Sequence, residues 1–391
     1  MTQHEFTIER LELDPYYEWL RAHRPVSKMR LRDGREAWLV TRWEDVRRVL
    51  ADPLFSRALA GGLPFGPDRR ESSLTELDPP EHTRVRRHVL IAFTHRRVQA
   101  LRPRVEQIVQ GLLDTMQERG APADLVQRLA LPLPVTIICE LLGVPAGDRD
   151  RFAAWSDGVL SVSAYSPKQM AACYENLRAY LGGLIAQRRD TPQDDLLSAL
   201  VQIRGSDGGL SDAEVLTLGT TLLVAGYETT AGQITNLTYT LFHHREHWER
   251  LVAEPELVPS AIEELLRYVP LGATYGLPRV ATADVELSGV LIRKGDVVVT
   301  ARTAAGRDES VFRHGDTLDF DRAENPHLAF GHGIHYCLGA HLARLELQVA
   351  IGGLLKRFPN LRLAVPEEEL RWKDGLAVRG LRALPVTWSK G

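Results

Sequence analysis

The amino-acid sequence predicts a mainly α-helical α+β fold with a small β region, arranged as a single domain over residues 1–391. Most of the chain repeats apolar residues with the period of an α-helix, and only two stretches show the pattern of short strands. No internal repeat or low-complexity linker divides the chain. A chain of 391 residues with 44% hydrophobic residues is long enough to bury a large core.

Short strands are predicted around two groups of turn residues. The stretch VSKMRLRDGREAWLV predicts a hairpin around Asp33 and Gly34, and ADVELSGVLIRKGDVVVTA predicts short strands around Gly289 and Lys294-Gly295. Helical periodicity predicts helices at 97–118, 124–142, 170–189, 211–243, 258–268 and 338–357. The loops richest in Gly, Pro and Ser are expected at 57–80 and 156–168.

Charge and cysteine content argue against several classes of protein. The net charge of −3, without a basic tail, does not indicate nucleic-acid binding. Three cysteines are too few for a disulfide framework, which is typical of a reducing cytoplasm. Residues 1–20 are charged throughout and contain neither the apolar segment of a signal peptide nor a membrane span. We therefore expect a cytoplasmic protein that binds neither nucleic acid nor membranes.

The stretch FGHGIHYCLGA, residues 330–340, places Cys337 in a loop rich in glycine. Gly331, Gly333 and Gly339 carry no side chain, so the backbone can approach closely whatever the cysteine contacts. A helical apolar stripe follows, which puts Cys337 at or just before a helix N-terminus, where a thiolate is favoured. Such a thiolate is a nucleophile or a metal ligand. A catalytic cysteine would need a His and an Asn or Asp in recognisable contexts, and none stands out in the sequence. Zinc is also disfavoured as the metal, because no second Cys or His pair has the spacing of zinc ligands.

The stretch LVAGYETTAGQ lies in the middle of the predicted helix 211–243, for which Ser211 and Glu214 form a capping box. Ala225 and Gly226 thin one face of the helix just before Glu228 and Thr229. The hydroxyl of Thr229 is expected to bond to the carbonyl of Ala225 and loosen the helix, which leaves room for a small ligand. The alternative is a packed helix with ordinary polar residues.

Charged pairs mark two more predicted helices. In SAIEELLRYVP, Ser260 and Glu263 form a capping-box pattern, and Glu264 shares a helix face with Arg267. Taken alone, such a pair is usually a solvated salt bridge.

In DPPEHTRVRRHVL, Asp78 is expected to cap a helix with Pro79 at its first position. His82 and Arg86 are four residues apart and so point the same way. A cationic pair at this spacing is ordinarily a surface feature.

Together these motifs resemble those of the cytochrome P450 family. The pattern F-x-x-G-x-H-x-C-x-G around Cys337 resembles its haem-binding loop, and three further motifs follow the family's order between residues 78 and 346. The resemblance covers essentially the whole chain and is strongest to bacterial soluble members. It implies the cytochrome P450 fold, with haem between the long central helix and the cysteine loop.

The resemblance also implies roles for individual residues. Cys337 would be the thiolate ligand of the iron of haem b, iron protoporphyrin IX. Glu228 and Thr229 would be the acid and the alcohol that border the oxygen site and relay protons. The residues that would bind the haem propionates are His82, Arg86, Arg279 and His335.

Two further residue sets follow from the resemblance. Glu264 and Arg267 would be a buried structural pair joined by Arg322. Where members of the family commonly have Asn-Arg-Asp, this chain has Gly306-Arg307-Asp308. We expect that departure to affect a turn and infer no loss of activity from it.

A haem-thiolate monooxygenase is the function that the resemblance implies. The chain has no flavin or reductase module, so a ferredoxin and its ferredoxin reductase would deliver electrons to a monomer. A basic docking face on the side of the cysteine could be supplied by Arg84, Arg87, Arg96, Arg97 and Arg344, and the alternative is that they are ordinary surface arginines. The alternatives are a peroxide-driven oxidase, a haem sensor without turnover and, if the resemblance misleads, a cysteine hydrolase.

The substrate is expected to be a large hydrophobic molecule. By resemblance, the pocket draws on residues 57–77, 156–168, 222–225, 271–275 and 376–378. The stretches ALAGGLPFG, VLSVSAYS, LGATY and GLAV carry mostly small, uncharged side chains, with Phe65 and Tyr165 as the bulky exceptions, which favours a large, mainly hydrophobic ligand. The sequence also resembles bacterial enzymes that tailor polyketides, especially macrolides, and such a secondary metabolite is the predicted substrate. Fatty acids and terpenoids are the second choices.

Overall fold

The structure, a computed structural model, describes residues 6, 8–31, 34–60, 73–161, 164–203, 209–272 and 275–389. Its elements confirm a mainly helical fold with a small β region. The α-helices are α1 (Tyr16–His23), α2 (Trp43–Ala51), α3 (Glu81–Leu90), α4 (His95–Ala100), α5 (Arg102–Arg119), α6 (Pro132–Leu142), α7 (Arg149–Val159), α8 (Pro167–Asp190), α9 (Leu196–Gln202), α10 (Asp212–His243), α11 (Arg245–Ala253), α12 (Val258–Tyr268), α13 (Arg302–Ala305) and α14 (Ala340–Arg357).

The strands are short. They are β1 (Ile8–Glu9), β2 (Glu12–Leu13), β3 (Val26–Arg30), β4 (Glu36–Val40), β5 (Phe55–Ser56), β6 (Ala123–Asp124), β7 (Arg279–Ala281), β8 (Val285–Leu287), β9 (Val290–Ile292), β10 (Val297–Thr300), β11 (Arg362–Leu363) and β12 (Pro385–Thr387). They form sheets of two to five strands.

The chain divides into two compact units. The first unit comprises Met1–Leu63 and Pro259–Leu338, and the second comprises Pro64–Val258 and Gly339–Gly391. Each unit is therefore built from two separate stretches of sequence. The single domain expected from the sequence stays a prediction.

The first unit contains a five-stranded sheet in the order β3-β4-β10-β7-β5. Strands β4 and β10 run parallel, and the other neighbouring pairs run antiparallel. Val40 and Val298 belong to one buried apolar cluster, whereas Leu39 and Val299 belong to another. Since side chains alternate along a strand, the sheet is covered on both faces.

The second unit is organised around α10, a helix of 32 residues. At 1.5 Å per residue it is about 48 Å long, and it packs against α6, α8 and α14. The predicted capping box at its start is confirmed, because the amide of Ser211 donates to Glu214 at 2.7 Å and the amide of Glu214 donates to Ser211 at 3.1 Å. A small sheet in the order β11-β12-β6 completes this unit.

Proline explains two differences from the predicted helices. The predicted helix 97–118 is divided into α4 and α5 at Leu101, and Pro103 lies in the first turn of α5. The predicted helix 124–142 is a π-helical turn (Val126–Ala130) followed by α6, which starts at Pro132. Proline lacks the amide hydrogen that an uninterrupted helix needs, so it is tolerated only near a helix start.

Several short helices escaped the sequence prediction. They are α1, α2, α7, α9, α11 and α13, none longer than 11 residues. Helix α7 reaches Val159 and so occupies the start of the loop predicted at 156–168. Short amphipathic segments give too few turns for a reliable period, and packing decides their conformation.

The predicted β regions are confirmed in their pairing. Strands β3 and β4 form the first hairpin, with Val26 opposite Val40 and Arg30 opposite Glu36. Its predicted turn residue Asp33 lies outside the described residues, as do 61–72 of the predicted loop 57–80. Strands β8 and β9 pair around Gly289, which has a φ of +75°.

Across the described residues, none of the helices combines the length and the apolar character that crossing a lipid bilayer requires.

Candidate active site

Cys337 lies in the first unit, just after a 3-10 turn (Gly333–His335). Its amide donates to the carbonyl of Phe330 at 2.9 Å, which closes the loop. Gly331 and Gly333 adopt φ values of +76° and +71°, which glycine accepts without strain. The side chain of Cys337 is exposed, so this loop presents a thiol at its surface.

The loop glycines serve different purposes. A Cβ on Gly333 would lie 2.8 Å from the Cα of Ala51 and 2.9 Å from the carbonyl oxygen of Leu50. Packing on α2 therefore requires Gly333, a reason that the sequence did not indicate, and the predicted close approach of the loop to a bound group stays a prediction. A Cβ on Gly339 would meet no atom of the described residues within 4 Å.

Arg302 is a residue of this loop's surroundings that the sequence analysis missed. Its guanidinium donates to the carbonyl of Ala329 at 3.3 Å. Burial lowers the pKa of Arg302, and the charge of the nearby Cys337 side chain works against that shift. A cation beside a thiol favours the thiolate. No sequence signal was available, because α13 has only four residues and belongs to no motif.

His82 and Arg86 lie on α3 in the second unit, one turn apart. Burial lowers the pKa of His82, Arg86 lowers it further, and Asp78 acts in the opposite direction. The imidazole is therefore neutral at physiological pH. Helix α3 begins at Glu81 and has Pro80 at its cap position, so the prediction of Asp78 as its cap is wrong.

Arg279 and His335 lie in the first unit with Cys337. Arg279 is on β7, buried, and donates to the carbonyl of Phe55 at 3.2 Å. His335 is half-buried and ends the 3-10 turn two residues before Cys337. The structure thus brings His335 and Cys337 together in one loop, while His82 and Arg86 belong to the second unit.

Thr229 lies in the middle of α10, on a face that is not fully buried. Its hydroxyl donates to the carbonyl of Ala225 at 2.8 Å, as predicted, and α10 continues through this turn. Ala225 is exposed, and Thr229 is half-buried. Gly226 points elsewhere, since a Cβ there would lie 3.0 Å from the side chain of Ile138 on α6. Gly226 therefore packs on α6 and does not thin the face that carries Thr229, whereas the room expected for a small ligand stays a prediction.

Glu228 is a buried acid next to Thr229, with 1% of its side chain exposed. The ammonium group of Lys373 donates to its Oε1 at 2.5 Å. Burial raises the pKa of Glu228, Lys373 opposes that rise, and Asp157 adds to it. A carboxyl with a raised pKa takes up a proton more readily than an exposed one, which suits a group that passes protons on.

The predicted buried pair of Glu264 and Arg267 is confirmed. The guanidinium of Arg267 donates to both carboxylate oxygens at 2.8 and 2.6 Å, and Arg322 adds bonds at 3.1 and 3.3 Å. The capping box predicted here is wrong. Helix α12 begins two residues before Ser260, and the carboxylate of Glu263 bonds to His327 at 3.0 Å.

The departure at Gly306 has a steric reason. A Cβ on Gly306 would lie 2.9 Å from the carbonyl oxygen of Arg267 and 3.2 Å from that of Thr303. The next residues are also fixed, since Arg307 bonds to Asp316 at 3.0 Å. In this chain, the turn after α13 therefore requires glycine.

Comparison with known proteins shows which family the chain belongs to. The family model described as Cytochrome P450 matches residues 18–377. The chain is 50% identical over 383 residues to nocardicin C N-oxygenase of Nocardia uniformis subsp. tsuyamanensis, covering 97% of this chain and 96% of the relative. It is 49% identical over 384 residues to mycinamicin IV hydroxylase/epoxidase of Micromonospora griseorubida, covering 97% of each.

Solved structures agree with these relatives. The crystal structure of the LnmA cytochrome P450 hydroxylase of the leinamycin pathway from Streptomyces atroolivaceus has a TM-score of 0.92 and 48% identity, with 99% of each chain covered. The structure of HinD with NMFT and NO has a TM-score of 0.93 and 46% identity, with 98% of each chain covered. These coverages and TM-scores show that the likeness extends over the whole fold.

Proposed function

Because this chain belongs to the cytochrome P450 family and is a haem-containing monooxygenase, we propose roles for its site residues and a class of substrate. We propose that Cys337 would hold the iron of haem b through its thiolate. The observation that carries this role is the exposed thiol in a glycine loop beside the cation of Arg302. A thiolate is a soft ligand suited to iron, and the cation favours its ionised form.

Four donor side chains are proposed to bind the two carboxylates of haem b. Guanidinium and imidazole groups make charge-assisted or neutral N–H bonds to carboxylates, so the chemistry of the set fits the group. Its members are His82, Arg86, Arg279 and His335. When bound, a thiolate-ligated haem activates dioxygen for transfer of one oxygen atom to a C–H or C=C bond, favoured by electron density from the sulfur.

Glu228 and Thr229 are proposed to move the protons. One oxygen atom of dioxygen enters the substrate and the other leaves as water, so each turnover consumes a pair of electrons and a pair of protons. The hydroxyl of Thr229 lies on a face of α10 that is not fully buried, beside exposed Ala225, where it can hydrogen-bond a small ligand. Glu228, the preceding residue, supplies the protons that Thr229 passes on.

The Thr229→Ala variant is expected to bind haem and substrate and to consume reductant, but to form less product. More of the reductant is expected to end as hydrogen peroxide, because the hydroxyl that controls protonation is gone. Product and peroxide per electron consumed are the quantities to measure. Thr221→Ala is the control, since Thr221 makes the same 2.8 Å bond two turns earlier in α10. An unchanged product yield in Thr229→Ala would show that this hydroxyl is not the relay alcohol.

Electrons are proposed to come from a ferredoxin, itself reduced by a ferredoxin reductase. Arg87, Arg96 and Arg97 are exposed and offer a basic surface on the second unit. Arg84 is less available than the sequence suggests, because its guanidinium forms an ion pair with Glu214. A cytoplasmic location and a monomeric state stay predictions.

A large hydrophobic secondary metabolite of the polyketide or macrolide type is the proposed substrate. The support comes from the relative described as mycinamicin IV hydroxylase/epoxidase and from the related MycG structure in complex with mycinamicin IV. Of the expected pocket segments, residues 61–72, 162–163 and 273–274 lie outside the described residues. Fatty acids and terpenoids remain the second choices, and peroxide-driven oxidation is disfavoured because the acid and alcohol are both present.

Titration of the ferric protein with candidate substrates tests this proposal. Macrolactones are expected to shift the haem spin state at lower concentration than long-chain fatty acids or terpenoids, because a pocket lined by small apolar side chains favours a large apolar ligand. The measurement is the change in the Soret absorption with ligand concentration. Tight binding of fatty acids or small terpenoids alone would contradict the proposed substrate class.

A further inference from the structure

The partner of Glu228 comes from a distant part of the sequence. Lys373 follows α14, and its ammonium group reaches Glu228 Oε1 at 2.5 Å. The side chains of Lys373 and Glu228 are only 11% and 1% exposed. Removing one member of a buried ion pair leaves the other charge without compensation, so each residue strongly affects the other.

Lys373 is held in place by a hairpin of residues 371–382, which we name the C-terminal hairpin. The backbone amide of Lys373 donates to the carbonyl of Gly380 at 2.8 Å, and Trp372 forms a β-bridge with Leu381. The side chain of Asn236 on α10 donates to the carbonyl of Arg379 at 3.0 Å. The hairpin is therefore fixed to the same helix that carries Glu228.

The C-terminal hairpin also contacts the end of α7. The amide of Ala377 donates to the carbonyl of Leu160 at 3.0 Å, and Ser161 pairs with Leu376. Asp157 lies on the last turn of α7, and its charge interacts with those of Lys373 and Glu228. Helix α10 and helix α7 thus each contribute a carboxyl group to the cluster, and the hairpin contributes Lys373, with Arg382 acting on Asp157 as well.

The carboxyl groups of Asp157 and Glu228 each have one buried oxygen without a hydrogen bond. Oδ1 of Asp157 and Oε2 of Glu228 are buried and have no hydrogen-bond partner among the described residues. A buried carboxylate without full hydrogen bonding is costly, which favours a proton on one of the two groups. The ammonium of Lys373 is bonded to Glu228 and also acts on Asp157 through its charge, so the two carboxyls share its compensation.

We propose that Lys373 is a positioning residue for Glu228 and that Asp157 competes for its charge, so that these two residues set when Glu228 takes up a proton. The proposal rests on the proposed role of Glu228 as the relay acid. When the ammonium group of Lys373 is paired with Glu228, it favours the ionised carboxylate of Glu228. When Asp157 is the ionised partner of Lys373, Glu228 is free to hold a proton.

The signs of the interactions agree with this proposal. Burial raises the pKa of Glu228, Lys373 lowers it and Asp157 raises it. Burial also raises the pKa of Asp157, against the charges of Lys373 and Arg382. Three further groups interact with these carboxyls and stay neutral at physiological pH, because burial raises the pKa of each; they are Tyr165, Cys173 and Tyr227.

The test measures the pH midpoint at which Glu228 is protonated. This midpoint is monitored through the infrared absorption of the Glu228 carboxyl group in the ferric holoenzyme. The band is assigned by its loss in Glu228→Gln. Lys373→Met is expected to raise the midpoint by about 1–3 pH units, because an adjacent opposite charge is removed. Asp157→Asn is expected to lower the midpoint, because a like charge is removed. The two variants therefore shift it in opposite directions.

Lys373→Arg and Lys356→Met are the controls. Lys373→Arg keeps the positive charge and should restore a midpoint near that of the parent, and Lys356→Met removes an exposed lysine of α14. Unchanged midpoints in Lys373→Met and Asp157→Asn, or shifts of the same sign, would overturn the proposal. If Lys373→Met does not fold, Asp157→Asn and Lys373→Arg still decide.

The role of Glu228 itself is tested separately. A parental product yield and solvent isotope effect in Glu228→Gln would refute its function as relay acid. That outcome leaves the infrared midpoints of the Lys373 and Asp157 variants unaffected. The two hypotheses therefore fail through different measurements.

Discussion

Cys337→Ser is expected to lose essentially all formation of oxygenated product. An alcohol is a harder and far less acidic ligand than a thiol, so it does not supply the electron density that a thiolate gives to haem iron. The loop itself should persist, because its closure depends on the backbone of Phe330 and on Gly331 and Gly333. Product formed per haem, with an added electron donor and a bound substrate, is the measurement.

Cys173→Ser is the matched control for this loss. Cys173 is partly buried on α8, and burial raises the pKa of its thiol, so it is inert as a thiolate. This variant should keep the parental product yield. Product at the parental rate in Cys337→Ser would contradict the assignment of the ligand.

Arg267→Leu is expected to lower the free energy of unfolding by about 3–5 kcal/mol, the range for breaking one side of a buried ion pair. Besides Glu264, the guanidinium donates to the carbonyls of Gly306, Gly315 and Thr317 at 2.5, 2.6 and 2.8 Å. Leucine leaves these carbonyls and a buried carboxylate without their donor. The measurement is the shift of the denaturant midpoint.

Arg313→Leu is the control, because Arg313 is exposed in the same unit and surface substitutions usually change stability by about 0.5 kcal/mol or less. Equal effects of the two substitutions would contradict a structural role for the buried pair. Burial alone would raise the pKa of Glu264, but hydrogen bonds from Arg267 and Arg322 outweigh it and lower the pKa. The stability that Glu264 contributes is therefore present at neutral pH and is lost as pH falls through the lowered pKa.

Local sequence patterns predicted the parts of the site that depend on neighbouring residues. The glycine loop around Cys337, the bond from Thr229 to Ala225 and the face shared by Glu264 and Arg267 each follow from spacings of at most seven residues. Backbone conformation within such a distance is set by turn chemistry and by the period of the helix. These features were therefore readable from the sequence.

Contacts between distant segments were not predictable in the same way. Lys373 lies 145 residues from Glu228 in the sequence, and the C-terminal hairpin that positions it has no strand pattern of its own. The need for Gly333 comes from the backbone of α2, and the need for Gly306 comes from the carbonyl of Arg267. Tertiary packing decides such requirements, and no spacing within one motif reports them.

The absorption spectrum of the purified protein with carbon monoxide after reduction tests most directly whether this is a haem-thiolate enzyme. One haem per chain and the strongly red-shifted Soret band of thiolate ligation are expected, and that band should be absent in Cys337→Ser and retained in Cys173→Ser. A colourless protein, or a parental spectrum typical of imidazole ligation, would contradict the assignment of Cys337 as the haem ligand.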